Sequence, residues 1–264
     1  MTMVSDNSPR APIGRSQLAR EDLLRHSTIF LNSAGTNATA TLATLQQENH
    51  FFLLTAQHVA RILEEKRERW FYANSARVVA FLSHPFTRTD LGNEGPYSQD
   101  LTLFELHAED AAEMVRLGLS FYDLRTSQSL DGEYGPDYFI VGAPKSSEVI
   151  ANNELSFEIR CAGVNILDEF GVDGASSFIE VEAVEANYSG MSGGGLWEIS
   201  YPASGGHRVF LVGVVVREPQ QLQSTADTCS SVGPTTIRCS SRQSIKELVA
   251  RARSLVRKAD EHNN

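Results

Sequence analysis

Residues 188–197 read Tyr188-Ser189-Gly190-Met191-Ser192-Gly193-Gly194-Gly195-Leu196-Trp197. Four glycines around one serine leave its hydroxyl uncrowded and let consecutive backbone N–H groups turn toward a common point, as an oxyanion hole requires. The same glycines describe a plain hairpin turn leading into the β-type run GGLWEI. The segment therefore places a turn and a strand, and offers Ser192 as a candidate nucleophile.

Outward from this point the chain repeats one pattern. Short β-type runs follow one another from about residue 28: STIFLN, ATATLATL, HFFLLTA, ARVVAFL, DLTLFEL, YFIVGAP, LSFEIRCAG, SFIEVEAVE and RVFLVGVVV. Several alternate with period two, and many end at Gly, Asn, Asp or Pro, the signature of antiparallel strands in a sandwich or barrel. They fall into two blocks, about 28–106 and 135–240, joined by a linker over 107–134. Residues 1–25, without apolar period, read as a disordered N-terminal arm. Helical spacing is confined to 56–69, 108–117 and 242–258, the last an amphipathic stripe of Ile245, Leu248, Val249, Ala252, Leu255 and Val256 with a basic outer face. The expected fold is all-β, two antiparallel six-stranded barrels followed by a C-terminal α-helix.

Composition removes several functions. The 264 residues carry 23 Lys+Arg against 33 Asp+Glu, a net charge of −10, so no nucleic-acid partner is expected. Residues 148–185 alone hold nine acidic side chains and one arginine, whereas the last helix is basic. No membrane-length apolar run occurs, and the start MTMVSDNSPRAPIG lacks the apolar core of a secretory signal, which makes the cytoplasm the expected location. Three cysteines make no disulfide framework, although Cys229 and Cys239 could pair across a short loop. His26, His50, His84, His107 and His207 are scattered without ligand spacing, and no metal or cofactor is expected.

A serine hydroxyl needs a base, usually a histidine held by a carboxylate. His58 closes HFFLLTAQH, where a buried strand opens into a short helix, and Asp100 precedes the strand LTLFEL. Taken singly, each also reads as an ordinary structural or solvated residue.

Together these segments resemble the trypsin-like, chymotrypsin-fold serine peptidases. LLTAQHV is similar to the motif around that family's histidine, QDLTLFEL to that around its aspartate, and GMSGGGLW to Gly-Asp/Asn-Ser-Gly-Gly-Pro-Leu. The order and the separations of 42 and 92 residues also resemble the family's. The resemblance implies Ser192 as nucleophile, His58 as general base and then acid, Asp100 as the orienting carboxylate, and the N–H groups of Gly190 and Ser192 as the oxyanion hole. The implied reaction is peptide hydrolysis through an acyl-enzyme, on a protein or peptide substrate, with a regulatory protein as a further possible partner.

Departures from the family pattern matter as well. Met191 stands where zymogens place an aspartate that pairs with a newly cut N-terminus, so this chain resembles the cytosolic or bacterial members that need no such cut. Ala186 stands where trypsin has its specificity aspartate. The pocket implied by the resemblance involves Ala186, Asn187, Val216, Arg217 and Glu218, shallow for small apolar side chains or charged for basic ones. Two other readings compete. A protease-fold binding or regulatory module would keep these residues without turnover. The Gly-x-Ser-x-Gly elbow of an esterase needs a helix after the serine, and a strand follows here.

Overall fold

The computed structural model describes residues 13–32, 37–64, 69–73, 78–91, 100–126, 136–144, 149–151, 154–156, 158–172, 175–183, 188, 190–217 and 236–262. Among these, strands dominate and fall into two large sheets and one separate hairpin. The first contains β1 (Ser27–Asn32), β2 (Asn37–Leu45), β3 (His50–Ala56), β4 (Arg69–Ala73), β5 (Val78–Phe81), β6 (Thr87–Asp90) and β7 (Leu101–Leu106). Their order is β5-β4-β1-β2-β3-β7-β6, all antiparallel, and the two-residue β8 (Tyr122–Asp123) lies parallel to β2. The expected first barrel is thus an open sheet, because its end strands β5 and β6 do not pair with each other among the described residues. β5 leaves Val78, Val79 and Phe81 more than two-fifths exposed.

The second block closes. β9 (Asp137–Gly142), β12 (Arg160–Val172), β13 (Ala175–Ala183), β14 (Gly195–Ser200), β15 (Arg208–Arg217) and β16 (Thr236–Ser241) form a barrel in the order β12-β13-β16-β15-β14-β9. A separate hairpin pairs β10 (Val149–Ala151) with β11 (Glu154–Ser156).

Among the described residues there are also four α-helices: α1 (Ile13–Leu24), α2 (Gln57–Glu64), α3 (Ala108–Arg116) and α4 (Arg242–His262). The arm expected over 1–25 therefore contains a helix, while residues 1–12 lie outside the described part. Ala19 and Leu23, one turn apart, are fully buried and hold α1 in the core, whereas Leu18 is exposed.

Period-two alternation explains how the core is shared. Phe52 and Leu54 of β3, with Leu101 and Leu103 of β7, join Phe139, Val141, Trp197 and Val214 of the barrel in one cluster between the sheets. Leu53 points the other way and packs with Phe71 and Phe104 beneath α2 and α3. A third cluster fills the barrel with Ile140, Val181, Met191, Leu196, Val215 and Ile237. Since β3 is buried on both faces, its sequence is a continuous apolar run.

Candidate active site

His58 and Asp100 come together at the end of β3. Asp100 Oδ2 accepts a hydrogen bond from His58 Nδ1 at 2.6 Å, and Oδ1 accepts from the His58 backbone N–H at 2.9 Å. The Asp100 carbonyl accepts from the Gln57 N–H at 2.8 Å. Asp100 thus caps α2 from another strand, placing negative charge at a helix N-terminus whose N–H groups have no partner within the helix. Its φ of +39° is a left-handed conformation that Asp tolerates better than most residues. A carboxylate only accepts, so the proton between the two side chains sits on Nδ1 and the Nε2 lone pair is available as a base. The His58 side chain is 50% exposed, open to an incoming molecule.

Ser192 lies on the turn before β14, on the barrel side, and is 7% exposed. The turn is held by its backbone. Met191 N–H donates to Tyr188 O, Gly193 N–H to Val215 O at 2.7 Å, and Gly194 N–H to Met191 O at 2.8 Å. The Ser192 N–H is left without a partner among the described residues, a donor available to a developing oxyanion. Gly190 is exposed, at φ +91°. No hydrogen bond joins Ser192 to His58 among the described residues.

The two halves of the site meet through threonines that sequence reasoning overlooked. Thr41 Oγ1 donates to Gly193 O at 3.1 Å, Thr39 Oγ1 accepts from Ala143 N–H at 3.1 Å and makes a long 3.5 Å contact to Gly190 O, and Thr55 Oγ1 donates to Thr39 O at 2.8 Å. Thr39 and Thr41, two apart on β2, face the barrel, while Thr55 lies three residues before His58. The repeat Thr-Ala-Thr within NATATLATL was the available signal. Gly193 packs directly on this cluster, at φ +90°, and a Cβ there would overlap Thr39 O and Thr55 Oγ1. Its glycine is required both by conformation and by contact.

Met191 is buried inside the barrel, its Cβ 3.3 Å from where a Cβ on Gly142 would lie. The turn is therefore anchored by an apolar side chain. Of the expected pocket, Ala186, Asn187 and Glu218 lie outside the described residues, as does the side chain of Arg217. Val216 is 1% exposed and belongs to the cluster between the sheets, at a register shift between Val215 and Arg217. Its side chain faces the core rather than an open pocket. Cys239 is fully buried in the barrel, where desolvation pushes its thiol far above the usual range, while Cys229, with which it could pair, lies outside the described residues. No described helix is long and apolar enough to cross a membrane.

No family model and no curated protein matches the chain. Among solved structures, an inactive-form serine-to-alanine mutant of Rv3671c from M. tuberculosis H37Rv aligns with a TM-score of 0.44 and 11% identity, covering 95% of this chain and 98% of that one. Deg5 aligns with a TM-score of 0.40 and 16% identity, covering 77% of this chain and 85% of that one.

Proposed function

We propose that the chain is a serine endopeptidase of the trypsin-like type, its first sheet and its barrel serving one active site. The observation that carries this reading is the pair of hydrogen bonds by which Asp100 holds both the ring and the backbone of His58. Ser192 Oγ attacks the peptide carbonyl while His58 Nε2 takes its proton. The oxyanion is stabilised by the Ser192 N–H together with that of Gly190. The leaving amine takes the proton back from His58, and water activated by the same ring hydrolyses the acyl-enzyme. The chemistry uses no metal or cofactor.

Substrate selection falls to the segments around Ala186–Asn187 and Arg217–Glu218, and the net charge of −10 favours cationic over anionic peptides. We assign the chain the role of a selective processing peptidase acting in the cytoplasm, with a shallow pocket for small apolar side chains. A peptide library incubated with the protein tests this: cleavage after small apolar residues is expected, abolished by His58→Ala, and cleavage that persists in that variant contradicts it.

A second reading, a protease-fold binding module without turnover, is favoured by the absence, among the described residues, of a hydrogen bond between His58 and Ser192. The two readings part on active-site labelling, because a silent module does not react with a serine-directed phosphonate.

A further inference from the structure

Away from the candidate active site, three metal-ligating side chains converge where the segment 82–86 meets the start of α3. His84, His107 and Glu109 each bring one ligand atom within 4.8 Å of the others. His84 lies 23 residues before His107 and 25 before Glu109, so spacing along the chain gave no sign of them. His107 follows β7 directly, and Glu109 and Asp110 lie in the first turn of α3.

Asp110 turns this cluster into a prepared arrangement. It is buried, 6% exposed, and its Oδ1 accepts from Ser83 N–H at 3.0 Å and from His84 Nδ1 at 3.2 Å, while Oδ2 accepts from His84 N–H at 3.1 Å. The carboxylate thus commits the His84 proton to Nδ1, the carboxylate–histidine relation found behind metal ligands. The lone pair of a neutral His84 then sits on Nε2, 3.3 Å from Glu109 Oε2. Two acceptors at that distance need a cation between them, a proton on the ring or a metal ion.

His107 stacks on His84, ring centroids 4.0 Å apart and planes 19° from parallel. It is exposed, and its capping bond from the Glu109 N–H is long at 3.4 Å, so little holds the ring when it turns a nitrogen toward an ion. Glu109 is 75% exposed at its side chain and equally able to adjust. The charges of Glu109 and Asp110 balance a divalent ion against the positive end of the helix.

We propose that His84, His107 and Glu109 bind one zinc-type divalent transition-metal ion, with Asp110 as the positioning residue behind His84. Two imidazoles and one carboxylate suit zinc and leave a coordination place for water. The ion would clamp the segment 82–86 onto α3 at the far end of β7 from Asp100, about 20 Å away along a six-residue strand. Its role there is structural, and the proposal is independent of the proteolytic reading.

The test is zinc binding by the full chain, followed by isothermal titration and by metal content after equilibrium dialysis. One ion per chain is expected. Its affinity should fall about tenfold or more in His84→Ala, in His107→Ala and in Glu109→Gln, and about tenfold in Asp110→Asn. The variants at exposed His107 and Glu109 leave the backbone bonds of Asp110 intact, and circular dichroism melts report whether each variant is folded. His50→Ala and His58→Ala should bind as the parent does. Absence of stoichiometric binding, binding that survives both His84→Ala and His107→Ala, or a loss that follows His58→Ala instead, overturns the assignment.

Discussion

Met191 illustrates how one residue fixes the turn that carries Ser192. Its side chain lies within the barrel cluster with Leu196 and Val215 on either strand that follows the turn, so the loop bearing Ser192 is tied down by burial. An aspartate at this place would bring an unpaired charge into an apolar interior. Met191→Asp should therefore cost about 3–5 kcal/mol, whereas Met191→Leu, which conserves volume, should cost under about 1.5 kcal/mol. Thermal or urea unfolding of the two variants checks this, and equal stability would show that the turn is held by its backbone bonds alone. At this scale the sequence displayed the candidate catalytic side chains but not their supports. Ser192 stands out because glycines surround it, and His58 because it ends an apolar run. Thr39, Thr41 and Thr55 look like ordinary β-formers, and their hydrogen bonds to Gly190, Gly193 and each other exist only once two distant segments meet.

Among the elements, α2 depends on a cap that comes from elsewhere in the chain. Asp100 supplies an acceptor to the His58 N–H and, separately, the charge that orients the ring. The two roles can be split. Asp100→Asn keeps a capping oxygen and tolerates the φ of +39°, so stability should change little while turnover falls about 10⁴-fold. Asp100→Ala should lose turnover and about 1–2 kcal/mol of stability as well. Paired melting curves and rate measurements separate these effects, and equal stability loss in both variants would contradict the capping role. The element pattern also explains which strands were legible. β1 and β3 coincide with the apolar runs STIFLN and HFFLLTA, since each buries most of its side chains. β6, Thr-Arg-Thr-Asp, is a polar edge strand, and β16 buries Ser240 and Ser241, so neither carries an apolar alternation. The outer half of β12 is exposed at Asn165, Leu167, Asp168 and Glu169, and its strand character comes from pairing with β13.

For α4 the apolar stripe was plain in the sequence, and its place is the cluster shared by both sheets. Ile245, Leu248, Val249 and Ala252 join that cluster, and Arg253 pairs with Glu48 at 2.6 Å on the first sheet. Leu248→Ala should destabilise by about 2–5 kcal/mol. Unfolding followed by fluorescence and by far-ultraviolet circular dichroism tests the packing, and a cost under about 1 kcal/mol would mean that the helix merely rests on the surface.

In the molecule as a whole, the two sheets behave as one body because their facing sides share a core, and His26 sits within that junction. Its ring stacks on Trp197 of the barrel at 5.2 Å and meets the Tyr122 edge at 6.0 Å, and its Nδ1 is 2.9 Å from Ser120 O. Burial lowers its pKa from the ordinary 6.5, partly opposed by the Ser120 carbonyl. The unfolded chain therefore binds a proton at His26 more readily than the folded one. Stability is full above about pH 6.5 and falls as the pH drops below it. His26→Gln should flatten that decline in melting temperature between about pH 5 and 7. An unchanged slope would place the acid sensitivity on other groups.

The central claim, that the serine on the Gly-rich turn and the histidine held by Asp100 act as one nucleophilic site, is tested most directly by intact-mass analysis after exposure to a fluorophosphonate. One adduct per chain is expected, mapped to Ser192, slowed strongly in His58→Ala and absent in Ser192→Ala. An unmodified parent protein, or an adduct that persists in Ser192→Ala, would contradict the claim.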